Sequence, residues 1–166
     1  MPAPAAIFEG TVYRICPARF GGSMVSMRGA LLHGARYNIR GYFGALYTSL
    51  SREAARREMA RYFTVPPMGG FVEASIALRL NRVLDLTNRK RLRRAGLAWE
   101  RLVEPRFLLT QELGRMAWES GWEALLAPSA ADPEQHNLAV FLDNQRPLWR
   151  VELAEIAAGP MPDTGP

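Results

Sequence analysis

One cysteine, Cys16, stands in the whole chain of 166 residues, so no disulfide can form within it and a reducing, cytoplasmic setting is expected. A lone cysteine inside an apolar strand reads as core rather than nucleophile. Histidine is almost as scarce. His33 and His136 have no HxxxH spacing and no second cysteine, which argues against a zinc site. A Ser-His-Asp hydrolase is equally unsupported, because Ser129 lies in Pro128-Ser129-Ala130 and not in a G-x-S-x-G elbow. No apolar run is long enough to span a bilayer. The opening Met1-Pro2-Ala3-Pro4-Ala5-Ala6 lacks the charged leader and apolar stretch of a signal peptide. Two nucleotide-binding signatures are missing as well. Gly29 to Gly34 has P-loop spacing, but Ala35-Arg36 replaces the Lys-Ser/Thr that would hold the phosphate and its metal. No G-x-G-x-x-G follows a strand. There is no internal repeat and no linker, so a single domain over residues 1–158 is expected. The first nine residues and the Pro/Gly-rich tail at 159–166 are expected to be loose.

What is present is an ordinary globular composition with a basic excess. Net charge is +5 and the isoelectric point is near 10.0, which favours an anionic partner such as a nucleotide, a nucleic acid or an acidic protein. Much of the charge sits in Arg89-Lys90-Arg91 and Arg93-Arg94. A basic module docking nucleic acid there is one reading; a solvated helix face with Leu92 and Leu97 turned inward is the one preferred.

Alternation predicts strands at Thr11–Cys16, Leu46–Thr48, Phe71–Leu86 (one strand, or two with a kink), Glu123–Ala130 broken by Pro128, Leu138–Leu142 and Leu148–Leu153. Helical spacing predicts a turn at 27–32, a helix from Ser51 to Phe63, one from Asp85 and Thr87 through Ala98, and one from Thr110 to Ser120 with Leu113, Met116 and Ala117 inward. Trp99, Trp118, Trp122 and Trp149 read as core or edge aromatics. Short strands with intervening helices indicate α+β.

One residue breaks this pattern. With Ser51 as N-cap and Glu53 in the first turn, Ala54, Ala55, Met59, Tyr62 and Phe63 form the apolar sector of the Ser51 helix. Glu58 falls inside that sector. A carboxylate on a buried face is costly unless it is paired or working. It is either half of a buried ion pair or an acid aimed into a cleft, and both readings place an arginine from elsewhere opposite it. Arg14, flanked by apolar residues in the first strand, is either on a frayed edge or aimed at an anion.

Taken in order, Tyr13-Arg14-Ile15, Gly34-Ala35-Arg36-Tyr37-Asn38, Tyr47-Thr48-Ser49, Glu58 and Pro128-Ser129 resemble the motifs of the RES-domain family. Its members are toxins of bacterial toxin–antitoxin pairs. The family's loop reads Gly-Gly-Arg-Trp-Asn, so Ala35 and Tyr37 are departures, although an aromatic is kept. The resemblance implies a fold like the diphtheria-toxin type of ADP-ribosyltransferase, with a split β-sheet core. It also implies NAD+ as substrate without a metal, and a cognate antitoxin, with a helix-turn-helix DNA-binding part, that blocks the cleft.

On that resemblance Glu58 stabilises the ribose cation formed when nicotinamide leaves. Arg14 and Arg36 hold the pyrophosphate, and Tyr47 and Tyr37 flank nicotinamide and ribose. Ser129 either donates to the ribose or orients Glu58. Cleavage of NAD+ by water or phosphate is the preferred activity, and ADP-ribose transfer to a metabolic protein is the alternative. Transferases of this fold often carry a second acid two residues before the catalytic one; that position here is Arg56.

Overall fold

The computed structural model describes residues 6–159. Six strands form one mixed sheet: β1 (Ala6–Pro17), β2 (Leu46–Ser49), β3 (Phe71–Asp85), β4 (Ala124–Pro128), β5 (His136–Val140) and β6 (Arg150–Ala158). Around it lie α1 (Arg28–His33), α2 (Arg52–Tyr62), α3 (Arg89–Arg94) and α4 (Leu108–Glu119). None of these helices is long and apolar enough to cross a membrane.

The strands are hydrogen-bonded in the order β1-β2-β5-β4-β3-β6, and β1 also pairs with β3, so the pairing runs in a closed circuit with β6 added outside. Among the described strands only β3 and β4 pair in parallel. One seam of the circuit is thin. β1 runs beside β3 for almost its whole length, whereas it meets β2 at a single register pair, Tyr13 with Ser49. The two strands part on either side of that pair, and the space between them is the mouth of a cleft.

Alternation along the strands separates two cores. Ala74, Ile76, Leu78 and Leu80 of β3 face one side with Val12, Leu46, Leu138 and Val140. Leu84, Leu86, Leu125 and Ala139 face the other, against Phe43, Phe141, Leu113 and Trp122. β3 changes sides at Asn81-Arg82, and this is the kink. The buried Glu123 holds it, its Oε2 accepting from the backbone N–H groups of Asn81 (2.5 Å) and Arg82 (2.9 Å).

Several boundaries differ from expectation. Residues 6–9 belong to β1, because the long edge of β3 offers partners as far as Val83. Residues 1–5 and the tail from Pro160 lie outside the described residues. Gly159, expected loose, donates to Phe71 O at 2.7 Å. No helix starts at Asp85, which ends β3; the cap is Asn88, whose side chain accepts from Arg91 N, and the helix stops at Arg94. The last strand begins at Arg150, after Leu148 takes a left-handed backbone (φ 68°), and continues to Ala158. Met116 is partly exposed, and Gly114 and Thr110 take its place on the inner face of α4.

Gly114 marks how α4 docks. A Cβ at this position would lie 1.9 Å from the carbonyl oxygen of Tyr37, so the 34–38 loop rests directly on the helix backbone. Gln111 Nε2 adds bonds to Ala35 O (3.1 Å) and Asn38 O (3.3 Å). Gly114→Ala should therefore push the loop off α4 and cost about 1–3 kcal/mol, as overpacking does. Thermal unfolding would register the loss, and an unchanged melting temperature would mean that the loop is not seated there.

Candidate active site

A cavity of about 400 Å³, within the usual range for small-molecule sites, opens at the β1–β2 seam. Its wall includes Arg14 from β1, Arg36 and Tyr37 from the loop, Tyr47 from β2 and Glu58 from α2. Ser129 lies behind that wall, fully buried, between the lining residues Pro128 and Ala130. The six residues singled out in the sequence thus meet in one place.

Helix α2 is seated firmly. Ser51 caps it, with Oγ accepting from Ala54 N and donating to Gln135 Oε1, both at 3.0 Å. Arg52 and Arg56 reach the buried carboxylate of Glu73 on β3, Arg52 also covers the Tyr13 ring at 4.9 Å, and Arg57 pairs with Asp132. The helix-to-strand ion pair that Glu58 was a candidate for is made by Glu73 instead.

Glu58 is mostly sheltered, its side chain 21% exposed. Among the described residues no arginine from another element is ion-paired with it. Oε1 accepts from Ser129 Oγ at 2.5 Å and from Asn137 Nδ2 at 2.7 Å, while Arg61, one turn along the same helix, is 3.7 Å from Oε2. The Ser129 proton has one direction to go. Its oxygen already accepts from the N–H groups of Ala131 (3.1 Å) and Asp132 (3.2 Å), so the hydroxyl donates to Glu58. The short distance is that of a charge-assisted O–H···O⁻ bond.

Arg14 and Arg36 are held alike. Nη1 of Arg14 donates to Met24 O and Ser26 O, each at 3.1 Å. Nη1 of Arg36 donates to Leu102 O (3.1 Å) and Glu104 O (2.8 Å), and its guanidinium lies 4.7 Å from the Phe107 ring centre. Neither forms an ion pair among the described residues, although burial lowers the pKa of Arg14 and makes an unpaired charge there costly. Both guanidiniums thus keep unmatched positive charge at the cavity wall.

The tyrosines divide the work of shaping the loop. Tyr47 Oη accepts from Tyr37 N (2.8 Å) and donates to Asn38 Oδ1 (3.0 Å); the buried Asn38 in turn donates to Ala30 O and Phe43 O. The Tyr47 hydroxyl is therefore spent on the loop, and its ring forms the wall. The Tyr37 hydroxyl is buried without a partner among the described residues. Burial raises the pKa of both phenols, so both stay protonated at neutral pH. Cys16 packs beside Met24 Sδ at 3.1 Å, and burial raises its thiol pKa too, as suits a core residue.

Sequence reasoning missed Asn137, gave no role to Ser49 although it stands in the Tyr47-Thr48-Ser49 motif, and misplaced Tyr62. Tyr62 is 70% exposed on the cavity rim, because α2 overhangs the cleft at its last turn and not the core. Asn137 falls just ahead of the strand expected at Leu138–Leu142, whereas β5 begins at His136, and nothing local distinguishes it.

A family model described as RES domain matches residues 11–162. Among solved structures, a chain from the crystal structure of the M. tuberculosis MbcT-MbcA toxin–antitoxin complex aligns with a TM-score of 0.79 at 24% identity, covering 93% of this chain and 86% of that one. At that identity the likeness is one of fold. No curated protein matches in sequence.

Ser129→Ala would leave two backbone N–H groups and one carboxylate oxygen short of a partner, a loss of about 1–3 kcal/mol. Urea unfolding should show it as a lower midpoint with an unchanged slope. An unaltered midpoint would mean that Ser129 does not tie Glu58 to the loop.

Proposed function

The chain belongs to the RES-domain family, and from that membership and the cleft geometry we propose that it breaks the nicotinamide–ribose bond of NAD+ as the toxin of a toxin–antitoxin pair. The observation that carries the reading is a sheltered carboxylate, fixed through one oxygen, in a cleft that also carries Arg14 and Arg36, neither of them ion-paired among the described residues.

Loss of nicotinamide leaves positive charge on the ribose, as in glycoside cleavage. A fixed carboxylate in a sheltered cleft favours that charge over the neutral sugar, which is the differential binding that lowers a barrier. Glu58 has this role. Nicotinamide departs neutral, so no general acid is needed, and Tyr37 and Tyr47, held protonated by burial, supply no base. The free N–H groups of Arg14 and Arg36 suit the pyrophosphate as charge-assisted donors. The unpartnered hydroxyl of Tyr37 is a buried polar atom that a ligand would satisfy. Ser129, with its proton committed to Glu58, orients the acid instead of touching the ribose.

An ADP-ribosyltransferase-like architecture belongs to the same reading, supported by the strand circuit parted at one thin seam. So does a cognate antitoxin with a helix-turn-helix part that covers the cleft in the cytoplasm. The similar solved structure comes from a toxin–antitoxin complex, and Tyr62, the last residue of α2, is exposed at the cavity rim, with Val65 and Met68 exposed in the segment that follows.

Glu58→Gln keeps an acceptor for both donors but loses the charge. It should fold like the wild type, release nicotinamide at least about 10²-fold more slowly, and no longer arrest growth when expressed in bacteria. Wild-type turnover in this variant would remove Glu58 from the mechanism. Arg14→Ala should raise KM for NAD+ about 10–100-fold, the value of a charge-assisted hydrogen bond; a lower melting temperature with unchanged KM would reduce Arg14 to an anchor for the 24–26 segment. Incubation with labelled NAD+ and lysate then identifies the acceptor as water, phosphate or protein, from free ADP-ribose, phosphorylated ADP-ribose or a labelled band.

A further inference from the structure

Glu58 is a helix residue, yet its side chain is held from the sheet. Oε1 accepts two hydrogen bonds, from Ser129 Oγ and Asn137 Nδ2, whereas Oε2 has Arg61 Nη1 at 3.7 Å, outside hydrogen-bond range. The two oxygens are not equivalent. A carboxylate can only accept, so the Asn137 amide turns its NH2 toward Glu58 and its carbonyl away. That carbonyl accepts from Ser49 Oγ at 2.8 Å. Ser49 and Asn137 are register partners across β2 and β5, so their side chains leave the sheet on the same face. A one-residue slip of β5 would turn Asn137 to the far side. Ser49 is also the residue through which β2 meets β1, at Tyr13.

We propose that Ser49 and Asn137 form a positioning pair that decides which oxygen of Glu58 reacts: Ser49 orients Asn137, which together with Ser129 saturates Oε1 and leaves Oε2 to meet the ribose cation. This rests on the NAD+-cleaving reading of the cleft. No bond or proton moves within the pair; it acts by orientation alone. The terminal torsion of a glutamate is soft and roughly two-fold, so a carboxylate held by Ser129 alone can pivot about one contact. A second donor from a different direction fixes the plane of the group. Displacements of about 1 Å at a reacting centre cost on the order of 10² in rate.

The test is a double-mutant cycle of Asn137→Ala with Glu58→Ala, read by urea unfolding, together with steady-state nicotinamide release by Asn137→Ala, Asn137→Asp, Ser49→Ala and Ser49→Thr. The unfolding midpoints should be non-additive, Asn137→Ala mattering less once the carboxylate is gone. In the enzyme, Asn137→Ala should lower kcat about 10–100-fold, the usual cost of losing an outer partner, with KM for NAD+ unchanged. Asn137→Asp, which sets an oxygen against Oε1, should be at least as damaging. Ser49→Thr, which keeps the hydroxyl, should retain the activity that Ser49→Ala loses.

Additive midpoints would overturn the pairing whatever the reaction is. A higher KM with unchanged kcat would also overturn it, by making Asn137 a substrate contact. Coupled midpoints in a protein whose wild type releases no nicotinamide would remove the NAD+ reading and, with it, the kinetic role claimed for the pair, leaving only an anchor.

Discussion

The structure turns on one doubly accepted oxygen. Oε1 of Glu58 is where helix α2, the residue after β4 and the middle strand β5 are tied together, since its two donors come from Ser129 and Asn137. Each donor is itself fixed, Ser129 by the N–H groups of Ala131 and Asp132, Asn137 by Ser49. A sheltered carboxylate would be a liability if left to itself. Here its hydrogen-bond donors are neutral, and the one cation beside it among the described residues, Arg61, stands 3.7 Å from the other oxygen, so the group is held through Oε1 without a close bond to a charge.

The opposite wall is built on the same economy. Arg14 and Arg36 each spend one nitrogen on a pair of backbone carbonyls, which orients the guanidinium without cancelling its charge. The loop carrying Arg36 and Tyr37 is pinned by Tyr47 and Asn38 from within and by Gln111 and the bare backbone at Gly114 from outside. Carboxylate and arginines thus reach the cleft from rigid supports, as preorganised electrostatics requires. The cleft itself follows from topology, because β1 stays with β3 and touches β2 only at Tyr13.

Much of this was legible in the chain. The 100° spacing of α2 set Glu58 apart from the arginine face, Ser51 announced the helix, and alternation located the sheet, because these signals are local. Local signals also misled. Tyr62 has the periodicity of a core residue, but the last turn of α2 projects past the core. Asp85 resembles a helix cap, yet the pairing of β3 with β4 extends through it and leaves Asn88 to cap α3. Residues 6–9 look too sparse for a strand until the length of β3 is known. Asn137 was out of reach altogether, since its meaning depends on a carboxylate 79 residues away. Residue spacing finds what one element dictates, and it is blind to partners that only the closed circuit of strands brings together.

The most direct test of this account is a crystal structure of the Glu58→Gln protein with NAD+ bound. The account predicts the nicotinamide ribose beside residue 58, on the side of the carboxamide turned away from Ser129 and Asn137, with the pyrophosphate between Arg14 and Arg36. NAD+ bound with its ribose remote from residue 58, or with its pyrophosphate touching neither arginine, would contradict it.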